Sequence, residues 1–77
     1  MKVSVIFFGQ LTDITKTASL DVRGIKDTNS LVQQLYEQFP GLRSAKFIIA
    51  VNNERIIDNS TLTEDSTIAL MPPFSGG

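Results

Sequence analysis

A single amphipathic stripe limits what this chain can fold into. Leu31, Val32, Leu35, Tyr36 and Phe39 follow one another at intervals of one, three, one and three residues, which places them on one face of a helix. Most of the remaining apolar residues are patterned as short strands. A lone helix with one apolar face must bury that face against another layer. The sequence therefore predicts a two-layer α+β domain, and its 77 residues leave no room for a second domain.

Five segments have the β-branched, aromatic or alternating composition that is typical of strands. They are residues 3–8, 18–23, 46–51, 54–57 and 67–71. We expect the first two to pair as an antiparallel hairpin and the polar residues 10–17 to connect them, with room for one helical turn. The run 46–51 is the most continuous apolar segment, so it is expected to be covered on both faces. Leu62 stands alone as an apolar anchor before the last strand.

The ends of the helix and the order of the strands refine this prediction. Asp27 or Thr28 is expected to cap the helix, because either side chain can accept a hydrogen bond from the first turn. Phe39-Pro40-Gly41 should end it, with glycine in the C-cap region. The first and last strands are the most hydrophobic, so we expect them side by side at the centre. This is the layout of the β-grasp fold of ubiquitin, a mixed sheet of about five strands with one main helix on one face.

Composition excludes several classes of function. The formal net charge is −1 and the seven Lys and Arg are scattered, which argues against nucleic-acid binding and against a polybasic membrane anchor. The apolar runs are far shorter than a membrane span. Residues 1–5 enter a strand-like pattern at once, so we expect no signal peptide and a cytoplasmic location.

The chain also lacks the usual chemical groups of an enzyme. It has neither cysteine nor histidine, which removes the thiolate nucleophile, the commonest general base and the commonest metal ligand. The eight carboxylates are spread through polar turns and strand ends, and Gly9, Gly24 and Gly41 stand alone rather than in a phosphate-binding loop. We therefore expect no catalytic residue, no metal and no bound cofactor in this chain.

The C-terminus is the remaining place for chemistry. Pro72 and Pro73 end sheet pairing and favour a stiff, extended exit. Residues 72–77 can reach roughly 20 Å from the fold, and Gly76 and Gly77 are slim enough to thread a narrow channel. We expect a domain of residues 1–71 and an extended tail of residues 72–77. An inert Gly-Gly end is the alternative.

The carboxylate of Gly77 is a poor electrophile, but an ATP-consuming partner could adenylate it. Sulfide or a persulfide could then displace the adenylate and leave a C-terminal thiocarboxylate. This route needs no cysteine or histidine on the carrier.

A partner surface is expected on the sheet. Strand alternation directs Ile6 and Phe8 away from the face that the single helix can cover, and Ala69 and Met71 are expected on the same side. An exposed apolar patch of this kind often marks a partner site. The alternative is that loops cover this face.

Several motifs together resemble a known family. They are Phe7-Phe8-Gly9-Gln10-Leu11, Ala50-Val51-Asn52, Leu62-Thr63 and Pro72-Pro73-Phe74-Ser75-Gly76-Gly77. Along nearly its whole length the chain is similar to the small, sulfur-carrying subunits of molybdopterin synthase, ubiquitin-like β-grasp proteins that end in Pro-Pro-x-Ser/Thr-Gly-Gly. It departs from them at Asp65-Ser66, where the family usually has Gly-Asp, and at Thr12-Asp13, where a charged pair is common.

The resemblance implies a function in molybdenum cofactor biosynthesis. An adenylyltransferase of the ubiquitin-activating type would activate Gly77, and a sulfur donor would convert it to a thiocarboxylate. Residues 72–76 would thread the active site of the large synthase subunit, in a heterotetramer, and sulfur would pass to cyclic pyranopterin monophosphate. The alternatives are a sulfur carrier for thiamine or tRNA thiolation, a protein modifier joined through Gly77, and a plain interaction module of ubiquitin fold.

Overall fold

The computed structural model describes residues 2–73. Within them the chain forms five strands and two α-helices in the order β1 (Lys2–Phe7), α1 (Leu11–Thr15), β2 (Ser19–Arg23), α2 (Thr28–Gln38), β3 (Ile48–Val51), β4 (Glu54–Ile56) and β5 (Thr67–Met71). A 3-10 helix, Pro40–Ser44, follows α2. None of the helices in this part of the chain has the length and hydrophobicity that crossing a bilayer requires.

The strands form one mixed sheet in the order β2-β1-β5-β3-β4. β1 runs antiparallel to β2 and parallel to β5, so the first and last strands lie side by side at the centre, as predicted. β3 pairs antiparallel with β5 on one side and with β4 on the other. With α2 packed on one face, this is the predicted β-grasp fold.

The core lies between α2 and the sheet. Val3, Val5 and Phe7 of β1 and Ile68 and Leu70 of β5 alternate with outward-facing neighbours and are almost fully buried. Helix α2 contributes Leu31 and Leu35, and the predicted anchor Leu62 is buried in the same cluster. Phe39, just after α2, packs edge-on against Phe7 with ring centroids 6.0 Å apart. The apolar stripe is therefore a core face.

Helix α2 begins where the sequence predicted. Asp27 is its N-cap, and the carboxylate accepts a hydrogen bond from the Ser30 N–H at 2.9 Å. The side chain of Asn59 donates to the same carboxylate at 3.3 Å and accepts from the Asn29 N–H at 2.8 Å. Hydrogen bonds from the side chain and backbone of Ser30, and next the bond from Asn59, lower the pKa of Asp27 below its ordinary value. The network fastens the start of α2 to the loop after β4.

Two local predictions are wrong. Gly41 does not provide a left-handed C-cap but lies within the 3-10 helix, where an added Cβ would come within 3.0 Å of Ile14 Cγ2. The run 46–51 is not a strand covered on both faces: β3 begins at Ile48, and Ala50 is the one buried residue among its four. Because β3 lies next to the edge strand β4 rather than at the centre of the sheet, its helix-facing residues Ile49 and Val51 are only half-buried. By contrast, the polar connection 10–17 was expected to have room for one helical turn, and it contains α1, which is about one and a half turns long.

Candidate functional site

Four predicted interface residues lie on the open face of the sheet, meaning the face opposite α2. Ile6 is paired with Ala69 in the β1–β5 register, so both occupy one row across the two central strands. Met71 lies two residues further along β5, on the same face. Phe8 follows the end of β1, and its backbone N–H donates to the Leu70 carbonyl at 3.0 Å, which keeps it beside β5.

The exposure of these side chains determines how much apolar area a partner could still cover. Phe8 is 46% exposed, whereas Ile6, Ala69 and Met71 are half-buried among their neighbours. The described loops therefore leave an apolar surface partly open. Covering it with a partner would remove further apolar area from water, which is the main favourable term in association.

Sequence reasoning missed the part of this surface that β3 contributes. Ile48 pairs with Met71 and Ala50 pairs with Ala69, so both join the open face next to the predicted residues. We call Ile6, Phe8, Ile48, Ala69 and Met71 the open-face patch; Ala50 lies on the same face but is buried. Side chains of a strand point to alternate faces of the sheet, so the run 46–51 could have indicated that two of its residues point away from the helix. The register that sets them beside β5 is a tertiary feature.

The base of the tail lies at one end of this patch. β5 ends at Met71, and Pro72 comes directly after it. Pro72 lies against Gly9, which has a φ of +57° in the turn between β1 and α1. A Cβ on Gly9 would meet Pro72 Cγ at 3.0 Å, which is closer than ordinary van der Waals contact. Gly9 thus lies against the first residue of the predicted tail.

A groove opens beside the two prolines. Its volume is about 550 Å³, and its walls come from α1, the segment before β3 and the start of the tail. The lining residues are Gln10, Leu11, Asp13, Ile14, Ala45, Lys46, Pro72 and Pro73. Asp13 and Lys46 give the walls one charge of each sign, and the apolar lining comes from three separate stretches of sequence.

The remaining predicted site residues, Phe74, Ser75, Gly76 and the attachment residue Gly77, lie outside the described residues. The predicted boundary between a domain of residues 1–71 and a tail of residues 72–77 therefore stays a prediction. Within residues 2–73 there is no group of three or more acidic side chains that could hold a metal ion. The described part of the molecule offers surfaces and a tail base on which a partner could act.

Comparison of the sequence with known proteins identifies its family. The sequence model of the ThiS family matches residues 5–77. The chain is 29% identical over 82 residues to a molybdopterin synthase sulfur carrier subunit of Mycobacterium tuberculosis, covering 100% of this chain and 99% of that protein.

Two solved structures extend the comparison. A complex of subunits 1 and 2 of molybdopterin-converting factor from Helicobacter pylori contains a chain with a TM-score of 0.76 and 29% identity, with both chains covered over 100% of their lengths. Small archaeal modifier protein 1 from Methanosarcina acetivorans has a TM-score of 0.82 at 21% identity, covering 99% of this chain and 96% of that one, and this likeness supports the fold alone. Because the family match spans nearly the whole chain, from β1 through its last residue, this chain belongs to the ThiS family.

Proposed function

We propose that this chain is the sulfur carrier subunit of a molybdopterin synthase, with its C-terminal Gly77 as the carrier group. The observation that carries the proposal is the end-to-end similarity to the Mycobacterium tuberculosis carrier subunit, at 29% identity and with no part of this chain left unmatched. The likeness to the Helicobacter pylori converting-factor complex, again 29% identical over the whole chain, supports a large-subunit partner.

The chemistry begins at the Gly77 carboxylate. One carboxylate oxygen attacks the α-phosphorus of ATP, and pyrophosphate leaves with the electron pair of the broken P–O bond. The product is an acyl adenylate, whose carbonyl carbon is a good electrophile because AMP is a good leaving group. An adenylyltransferase of the ubiquitin-activating type supplies the site for this step, since the carrier has no phosphate-binding loop.

Sulfur then enters at the same carbon. Hydrosulfide adds to the carbonyl and AMP leaves, which gives a thiocarboxylate and releases one proton. When the donor is a persulfide, the first product is an acyl disulfide, and a thiol must reduce it by two electrons to release the thiocarboxylate. Neither route uses a side chain of the carrier, in agreement with a sequence that has no cysteine and no histidine.

Transfer takes place in the large subunit. Residues 72–76 thread its active site and deliver the sulfur to cyclic pyranopterin monophosphate, and hydrolysis of the acyl group returns Gly77 to a carboxylate. The open-face patch holds the carrier against its partner, in an assembly of two large and two small subunits. Such a carrier catalyses nothing alone, since the substrate site and the catalytic groups belong to its partners.

The first test is the intact mass of the protein after incubation with an activating enzyme, ATP and a sulfur donor. We expect a gain equal to the replacement of one oxygen by one sulfur, and no gain in a variant that lacks Gly77. An unchanged mass, when the same enzyme loads another carrier, contradicts the proposal.

A second measurement identifies the acceptor. The thiocarboxylated protein, mixed with the large synthase subunit and cyclic pyranopterin monophosphate, should lose its extra mass as molybdopterin forms. Loss of sulfur to thiazole or tRNA enzymes instead would assign the chain to thiamine or tRNA thiolation. Conjugates of higher mass in cells, absent when Gly76 and Gly77 are deleted, would indicate a protein modifier.

A further inference from the structure

We propose that Gly9 is a positioning residue for the reactive tail, acting through its contact with Pro72. This inference rests on the proposed function, because it concerns how Gly77 is presented to the activating enzyme. Gly9 touches no reacting group in this scheme. Its role is to let the base of the tail lie against the turn between β1 and α1, which fixes the direction in which the tail leaves the sheet.

The first argument is that the backbone around Gly9 is held on both sides. Before it, the Phe8 N–H donates to the Leu70 carbonyl at 3.0 Å and ties the chain to β5. After it, the Gly9 carbonyl accepts from the Thr12 hydroxyl at 2.8 Å and from the Thr12 N–H at 3.2 Å. Gly9 therefore cannot move away from the tail without breaking bonds of the sheet or of the first turn of α1.

The second argument is that Pro72 is stiff and close. Its ring locks φ and it directly follows the last residue of β5. A Cβ on Gly9 would lie 3.0 Å from Pro72 Cγ and 3.5 Å from Pro72 Cδ. With the Gly9 backbone held, the proline ring is the part that must give way, by a few tenths of an ångström.

Pro72 is the base of the tail, so a shift of its ring changes the point and the direction from which the tail leaves the fold. Residues 72–77 span roughly 20 Å when extended, so a rotation of about 10° at the base moves the tip by about 3 Å. A misplacement of about 1 Å can cost a factor of about 100 in rate when a reacting group must be held in a near-attack position. A small intrusion at Gly9 is thus expected to affect the reaction of Gly77.

The chain contains a matched control for this effect. Gly24 also has a positive φ, +78°, but an added Cβ there meets nothing within 4 Å. Substitution at Gly24 brings the same kind of backbone strain without any contact with the tail. Comparing the two positions separates the loss of conformational freedom from the intrusion on Pro72.

The experiment measures ATP-dependent activation of the full-length chain by an adenylyltransferase known to load another carrier. For Gly9→Val we expect kcat to fall at least about tenfold, while KM stays within about twofold because the substitution shifts the base of the tail and leaves the rest of the surface unchanged. Gly9→Ala, which folds more readily, should lower kcat by a smaller factor. Gly24→Val should leave both parameters within about twofold of the native chain.

A double substitution tests whether Pro72 transmits the effect. Pro72→Ala removes Cγ and Cδ, so Gly9→Val combined with Pro72→Ala should have the kcat of Pro72→Ala alone. The melting temperatures should likewise be non-additive for Gly9 with Pro72 and additive for Gly24 with Pro72. Equal kcat values for Gly9→Val and Gly24→Val, or additive effects at Gly9 and Pro72, overturn the inference.

The inference and the proposed function can fail separately. If the native chain is not activated at all, the proposed function fails, and the contact is still decided by the melting temperatures and by the NOE between the Gly9 Hα and Pro72 Hγ protons. Absence of that NOE in the native protein overturns the positioning role. Its presence, with a native chain that is activated and Gly9 variants of unchanged kcat, overturns it as well.

Discussion

At the scale of single residues, Asp65 explains a departure from the family pattern. Asp65 has a φ of +64°, in the left-handed region that favours glycine, and the resemblance to the sulfur-carrying subunits implies glycine at this position. Aspartate is one of the few other residues that tolerate this region. The Asp65 N–H donates to the Lys2 carbonyl at 2.8 Å, and the Lys2 N–H donates to the Glu64 carboxylate at 2.9 Å. The turn is thus fastened to the start of β1.

This conformation leads to a prediction about stability. Asp65→Val should destabilise the fold by about 1–2 kcal/mol, because a β-branched residue pays the full cost of the left-handed region. Asp65→Gly should stay within about 1 kcal/mol of the native chain, since relief of strain offsets the greater freedom of the unfolded state. Urea unfolding measures both changes.

Asp58→Val is the control for this pair, since Asp58 is exposed and is not among the residues with positive φ. If Asp65→Val costs no more than Asp58→Val, the left-handed conformation is not what limits the choice of residue at this turn.

At the scale of elements, the start of α2 depends on an ionised side chain. The bonds from Ser30 and Asn59 hold the pKa of Asp27 below its ordinary value, so the native state favours the carboxylate more than the unfolded state does. The unfolded chain therefore binds a proton more readily at this site. The stabilisation from ionised Asp27 is complete above the ordinary Asp pKa of about 3.9 and is lost as the pH falls through the lower pKa of the folded state.

Asp27→Asn isolates this effect, because asparagine can cap a helix and does not titrate. We expect the native chain to have the higher melting temperature at pH 7 and pH 5, and the difference between the two proteins to shrink as the pH falls below about 4. Circular dichroism at several pH values measures both curves. A difference that is the same at pH 3 and pH 7 contradicts a lowered pKa at Asp27.

The helices and strands also show which features could be predicted from the sequence. The stripe on α2, the cap at Asp27 and the strand 67–71 were predictable because local spacing and side-chain chemistry determine them. The 3-10 helix after α2 was not predicted, since Gly41 lies there against Ile14 of α1, a contact that the linear pattern does not contain. For the same reason Ile48 joins the open face only through its register with Met71.

The candidate site divides in the same way. Alternation along β1 and β5 was enough to place Ile6, Phe8, Ala69 and Met71 on one face. The groove beside Pro72 was not predictable, because its walls come from α1, from Ala45 and Lys46 and from the tail base, and only the folded chain brings these together. The approach of Gly9 to Pro72 likewise depends on the parallel pairing of β1 with β5.

At the scale of the whole molecule, the sheet has two apolar faces that differ in how they are covered. One is buried under α2 and forms the core, whereas the other carries the open-face patch within reach of a partner. The patch and the tail are joined without a linker, since Met71 is the last residue of β5 and Pro72 is the next residue. A partner that covers the patch therefore also sets the position from which the tail starts.

Binding to the large synthase subunit should consequently depend on the patch. Phe8→Ala and Met71→Ala should each weaken binding by about tenfold to a hundredfold, because burial of a large apolar side chain contributes about 1.5–3 kcal/mol. Ile57→Ala is the matched control, since Ile57 is 91% exposed but follows β4, at the edge of the sheet away from β1 and β5. The affinity of Ile57→Ala should stay within about twofold of the native value in isothermal titration calorimetry.

If Phe8→Ala and Met71→Ala bind as Ile57→Ala does, the open face is not the surface that holds the partner. The tail alone would then have to account for the affinity, and deleting residues 74–77 would abolish binding rather than leave most of it.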